Sequence, residues 1–324
     1  MKSFAQVLED TAVGDRHLLL GNGFSQAWNS DIFRYENLLE KANFGIRNEA
    51  IKGVFAKLKT YDFEVVMKTM IASVFVAQSF NKYPVFVEGI RRDAECLKNS
   101  LITTISETHP DFPYDISNDE YSVTRIFLNN FSKIFTVNYD LLLYWARNKQ
   151  DVHPKDFETD DGFRQNRTWV GSETKQNVFF LHGGLHIYDE SGVIKKHAYT
   201  ADGETIIVQV RENLIKDNFP IFVAEPDSIK KLDRIRHNPY LNFCYEHLGK
   251  ISGSLVIFGH SMDETDTHIF DKISSSNVGN VYISIYGDPN SQSNRRVKAN
   301  AESYFSCPVH FYDAKSVQVW NTKL

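Results

Sequence analysis

Four short motifs in this chain carry residue types that do chemistry. Gly21-Asn22-Gly23-Phe24-Ser25 follows the apolar run His17–Leu20. Glycines there let backbone amides approach a pyrophosphate with no Cβ between, although Gln26 stands where a third glycine would complete G-x-G-x-x-G. A strand-to-helix turn would use the same glycines. Thr136-Val137-Asn138-Tyr139-Asp140 sets an Asn and an Asp two residues apart, facing one cleft or capping the helix that follows. Leu181-His182-Gly183-Gly184 gives a histidine with room for a substrate to pass over it, and His186 close by is a rival. Gly259-His260-Ser261-Met262-Asp263 offers small residues and a hydroxyl for a ribose or phosphate, or else a capped turn. Just beyond it, Asp263, Asp266 and His268 invite a metal. No second His or Cys cluster supports one, and the expectation is no metal.

Each motif sits at the end of a short apolar run. The runs are His17–Leu20, Lys133–Val137, Val178–Leu181, Pro220–Ala224, Ser254–Phe258, Asn280–Ile285 and Pro308–Tyr312. Continuous apolar runs read as buried parallel strands, and ligands bind at the carboxyl ends of such strands. Between the first two runs, 62–80 and 84–109 repeat apolar residues at helical spacing: Phe63, Val66, Met67, Met70, Ile71 and Val74, then Val87, Ile90, Leu97, Leu101 and Ile105. The expected fold is α/β, a Rossmann-like parallel sheet with a large helical insertion after the first strand. The core would be 1–29 with 131–324, and the insertion 30–130. The segment 186–219 reads as irregular, with a hairpin around Thr205–Val210.

Length, 42% apolar and 24% charged residues allow a sizeable core. A net charge of −5 removes the broad electrostatic case for direct nucleic-acid binding. Cys96, Cys244 and Cys307 form no CxxC, so a four-cysteine zinc site is excluded and a reducing compartment is expected. No stretch reads as a signal peptide or membrane span, and the expected location is cytoplasmic.

In order and spacing, G-x-G-x-S, T-x-N-x-D, L-H-G and G-x-S resemble the sirtuin fold. Phe33 and Arg34 lie where sirtuins carry the Phe-Arg of their cofactor loop, with Ile32 replacing the preceding acid. The chain is more similar to bacterial sirtuin-like proteins of phage defence. The matching stretches are Leu18–Ser25, Thr60–Glu64, Phe135–Asp140, Leu181–Gly183 and Phe258–Asp266.

That resemblance implies NAD as substrate rather than cofactor, cleaved at the nicotinamide–ribose bond to starve an infected cell. It implies catalytic roles for Asn138, orienting the ribose or water, and His182, as general base. Gly21, Gly23 and Ser25 would hold the pyrophosphate, and Asp140 the carboxamide or its own turn. Phe33 and Arg34 would cover the nicotinamide, and Gly259 and Ser261 would face the adenosine half. Tyr286 replaces the Asn common in sirtuins at the adenine ribose. The resemblance also implies a homo-oligomer gated by a partner such as a HerA-type ring ATPase, with Tyr61, Phe63, Phe75 and Phe80 as the contact surface. A non-hydrolysing sensor of NAD or an ADP-ribose derivative is the alternative. An ordinary NAD-dependent oxidoreductase is disfavoured, because no acidic residue ends a second strand ~20 residues on.

Overall fold

The computed structural model describes residues 1–80, 84–198, 204–216 and 218–321. Eight strands form: β1 (Arg16–Leu20), β2 (Lys133–Thr136), β3 (Val178–Phe180), β4 (Ile187–Glu190), β5 (Val193–Lys196), β6 (Ser252–Phe258), β7 (Asn277–Ile285) and β8 (Val309–Asp313). Six of them make one parallel sheet in the order β3-β2-β1-β6-β7-β8. With the separate β4–β5 hairpin set aside, this is the doubly wound 3-2-1-4-5-6 order of the Rossmann fold. The order reverses between β1 and β6, and that is where such sheets leave a crevice. Leu18, Leu19 and Leu20 of β1 are fully buried, as a central parallel strand covered on both faces requires.

Helices fill the chain between β1 and β2, including Asn48–Leu58, Phe63–Ser79, Pro84–Thr108 and Asn118–Leu128. Asp62 caps the second of these, accepting from the amides of Glu64 and Val65. Phe63, Val66, Met67, Met70 and Val74 line its buried face, and the first four join one apolar core with the sheet. No helix among the described residues is long and apolar enough to cross a membrane.

Three expectations change. The hairpin lies at 187–196, and Thr205 instead caps a helix, Ile206–Ile215. Residues 220–224 are buried but form no sheet strand; they run against the loop after β3. There Val223 N donates to His182 O, Gly184 N to Ile221 O and Ile221 N to Ile187 O. Phe63 belongs to the core, leaving Tyr61, Phe75 and Phe80 at the surface.

Candidate active site

The ends of β1, β2, β3 and β6 bring the four motifs together. After β1 and β6 the two turns press backbone to backbone. Gly23 N donates to Gly259 O at 2.8 Å. A Cβ on Gly23 would lie 2.5 Å from Gly259 Cα, and Gly259 itself has φ +70°. These two glycines are therefore demanded by the close approach itself. Gly21 N donates to Phe258 O, and the amides of Phe24 and Ser25 donate to Gly21 O and Asn22 O, so these N–H groups are already engaged.

Asn138 and Asp140 both reach Ser25. Asn138 Nδ2 donates to Gly21 O and to Ser25 Oγ, each at 3.1 Å, which uses both of its N–H groups and leaves Oδ1 as an acceptor. Ser25 Oγ donates to Asp140 Oδ2 at 2.5 Å, and Asp140 Oδ1 accepts from Leu142 N. Asp140 thus ties its own turn to Leu142 at the start of the helix Leu142–Asn148, whose N-cap position is Leu141. Burial raises the Asp140 pKa, against the pull of Ser25 and of the Leu142 amide. The inserted helices support this loop: His109, just past Pro84–Thr108, accepts from Leu141 N at 3.0 Å.

The room for a substrate over His182 that the sequence suggests is not open here: His182 is 2% exposed and Asn138 is 7% exposed. His182 Nε2 lies 3.2 Å from His268 Nε2 and 3.8 Å from Asp266 Oδ1. Asp266 is held on both of its oxygens. Lys231 Nζ donates to its Oδ1 at 2.8 Å and to Glu64 Oε2 at 2.6 Å. His260 Nε2 lies 3.2 Å from Asp266 Oδ2, and because His260 Nδ1 accepts from Met262 N, Nε2 carries the proton and donates.

Electrostatics follow from burial and charge order. Burial would raise Asp266, but Lys231 and the histidines hold it well below the ordinary carboxylate range. Burial pushes Glu64 up to about 7 against the pull of Lys231, with Asp266 adding to the rise. Burial would lower Lys231, yet the two carboxylates raise it. Burial drives His182 well below 6.5, only partly opposed by Asp266.

Two sets of neutral tautomers fit the histidine pair. Ser228 Oγ accepts from His268 N at 2.7 Å and lies 3.1 Å from His268 Nδ1. In one set the hydroxyl donates to His268 Nδ1, and His268 Nε2–H donates to His182. In the other His268 Nδ1–H donates to Ser228 Oγ, and His182 Nε2–H donates to His268. The carboxylate 3.8 Å from His182 Nε2 favours a proton on that nitrogen, which leaves Nδ1 free as a base.

The remaining residues lie around this centre. Phe33 is buried against Trp28 and His109. Arg34 and Ser261 are exposed. Tyr286 is 73% exposed. Asp263 is not part of the acidic trio suggested by sequence; it pairs with Arg296 at 2.9 Å, and His182 takes its place beside Asp266 and His268. Lys231, His260 and Ser228 were missed. Lys231 sits in a Lys-Lys pair on Ser228–Arg236, where nothing in the residue pattern separates the buried lysine from its solvated neighbour.

Sheet order and strand-end motifs define an α/β protein of Rossmann-like architecture. The chain belongs to the family described as a domain of unknown function, DUF4917, whose model matches residues 18–320. No curated protein matches. A structure titled "Structural Basis for the Mechanism and Regulation of Sir2 Enzymes" is similar at 12% identity and a TM-score of 0.36, over 97% of this chain and 92% of that one.

Proposed function

We propose that the protein hydrolyses NAD at the nicotinamide–ribose bond, giving nicotinamide, ADP-ribose and a proton. The observation that carries this reading is the Asn138–Ser25–Asp140 cluster at the carboxyl ends of β1 and β2, beside the topological switch point, with His182 following the neighbouring β3. Nicotinamide leaves as a neutral ring, and an oxocarbenium-like sugar remains. Asn138 Oδ1 accepts from the attacking water or a ribose hydroxyl. His182 Nδ1 takes the proton. A weak base suffices there, because water bonding to an oxocarbenium carbon becomes strongly acidic. Gly21, Gly23 and Ser25 would face the pyrophosphate, and Gly259 and Ser261 the adenosine half, once the turns part. Phe33 and Arg34 would close over the nicotinamide.

Mass spectrometry after incubation with NAD tests the reading. Free nicotinamide with ADP-ribose is expected; intact NAD after prolonged incubation would sink it. A sensor that binds NAD without cleaving it is the second reading. It is favoured by the engaged amides of the Gly21–Ser25 turn and by the burial of Asn138 and His182. An antiphage role through NAD depletion, in a homo-oligomer gated by a ring ATPase, extends the first reading. Light scattering is the check on assembly, and a monomer with full NAD cleavage and no partner would remove that extension.

A further inference from the structure

Lys231 is the most deeply buried charge near the site, 1% exposed, and neither the strand-end motifs nor the proposed chemistry uses it. Its ammonium has two carboxylate partners on different parts of the fold. Glu64 lies in the first turn of Phe63–Ser79, in the inserted helices, and Asp266 lies just before Thr267–Ser274. Asp266 uses Oδ2 to accept from His260 Nε2–H, while Oδ1 accepts from Lys231 and faces His182 Nε2. A carboxylate gripped on both oxygens cannot turn away from the imidazole beside it. The groups that face His182 are Asp266, Lys231, His268 and His260.

We propose that Asp266 sets the tautomer of His182, placing its proton on Nε2 and its lone pair on Nδ1, and that Lys231, anchored by Glu64, is the positioning residue that holds Asp266 to that task. In hydrolytic triads a carboxylate fixes the imidazole by accepting its N–H; here Asp266, 3.8 Å from Nε2, acts through its charge, while His268 Nε2 at 3.2 Å accepts the proton. The ammonium also takes the position beside Asp266 that a divalent ion would need. His182, Asp266 and His268 offer ligand atoms within 4.8 Å of one another, yet the Asp266 oxygen nearest the pair already accepts from Lys231. The helical layer is thereby wired to the site through one ammonium, so a shift of Phe63–Ser79 loosens Asp266 before it touches His182.

The catalytic meaning of the tautomer rests on the NAD hydrolase reading; the tautomer itself does not. Imidazole ¹⁵N shifts of the intact protein report it directly. Wild type should show His182 protonated on Nε2. Asp266→Asn keeps the shape but can donate, and should move the proton to Nδ1 while lowering NAD turnover at least ~10²-fold. Lys231→Met should raise the His182 titration point, since a cation that opposes its protonation is gone, and lower turnover at least about tenfold. If Lys231→Met does not fold, Glu64→Gln/Lys231→Met removes both charges at similar volume and serves instead. Wild-type His182 protonated on Nδ1, or no change in its shifts in Asp266→Asn, would overturn the proposal. Stoichiometric zinc in the purified protein that Asp266→Asn abolishes would overturn it too. Correct shifts without NAD cleavage would leave it standing and remove the hydrolase reading alone.

Discussion

At the scale of residues, the site's histidines separate by what surrounds them. His182→Ala and Asn138→Ala should each lower NAD turnover at least ~10²-fold, measured as nicotinamide released. In the proposed hydrolase both groups serve one transition state, so under that reading the double variant should lose little more than the worse single one. Burial changes the stability expectation: His182→Ala leaves His268 Nε2 without its partner, a cost of about 1–3 kcal/mol that thermal melting should register. Turnover should show no acid limb near 6.5, because His182 stays neutral well below that pH. His260 is no silent control, since it grips Asp266. His186 behaves in the opposite way. It is fully buried between Tyr144 and Phe180, and neither ring nitrogen has a hydrogen-bond partner among the described residues. His186→Phe should match or raise the melting temperature and leave turnover intact, since an unpartnered buried polar group is replaced by an apolar one of similar shape. A drop in melting temperature would show that the imidazole nitrogens matter.

At the scale of elements, the strands were legible because parallel strands covered on both faces carry apolar runs, as Leu18–Leu20 of β1 and Leu255–Phe258 of β6 do. The same rule misread 220–224. Those residues are as buried as a strand, but they bury themselves by clamping the loop that carries His182. Hydrophobicity reports burial and not the partner. The strand-end motifs were legible because glycines and polar residues break apolar runs. The Glu64–Lys231–Asp266 connection was not, since it joins residues 167 and 35 positions apart. Glu64 offers an element-level test. Its folded pKa is near 7 and its ordinary value 4.5, so it binds a proton more readily in the folded state. The stability this gives is complete below 4.5 and is lost as pH rises through 7. Glu64→Gln lacks that titration. Its melting temperature should therefore improve relative to wild type between pH 5 and pH 8, by the equivalent of about 1–3 kcal/mol. A difference that stays constant across this range would mean that Glu64 is ionised throughout in both states.

At the scale of the whole molecule, the site is closed. Asn138 is held by Gly21 and Ser25, His182 by His268, and the β1 and β6 turns touch through Gly23 and Gly259. The described cavity of about 340 Å³ that reaches His268 is bordered by Ser228, Leu232, Arg236 and Tyr245, and none of the four strand-end turns lines it. On the nucleotide readings proposed above, a dinucleotide would part elements that are packed here, and its binding would draw on the stability of the fold. ADP-ribose, which the hydrolase would release and the sensor would bind, is the probe that avoids turnover. Ligand at 100 times its dissociation constant stabilises a protein by about 2.7 kcal/mol, less whatever the opening costs. ADP-ribose should raise the melting temperature of wild type and of His182→Ala alike, while nicotinamide alone should do little. Protection of Gly21–Ser25 amides from hydrogen exchange should fall on binding if the turns part, because those amides give up their internal acceptors. A melting temperature unmoved by saturating ADP-ribose and NAD would remove both nucleotide readings together. A rise with NAD that persists for hours, with no nicotinamide formed, would select the sensor.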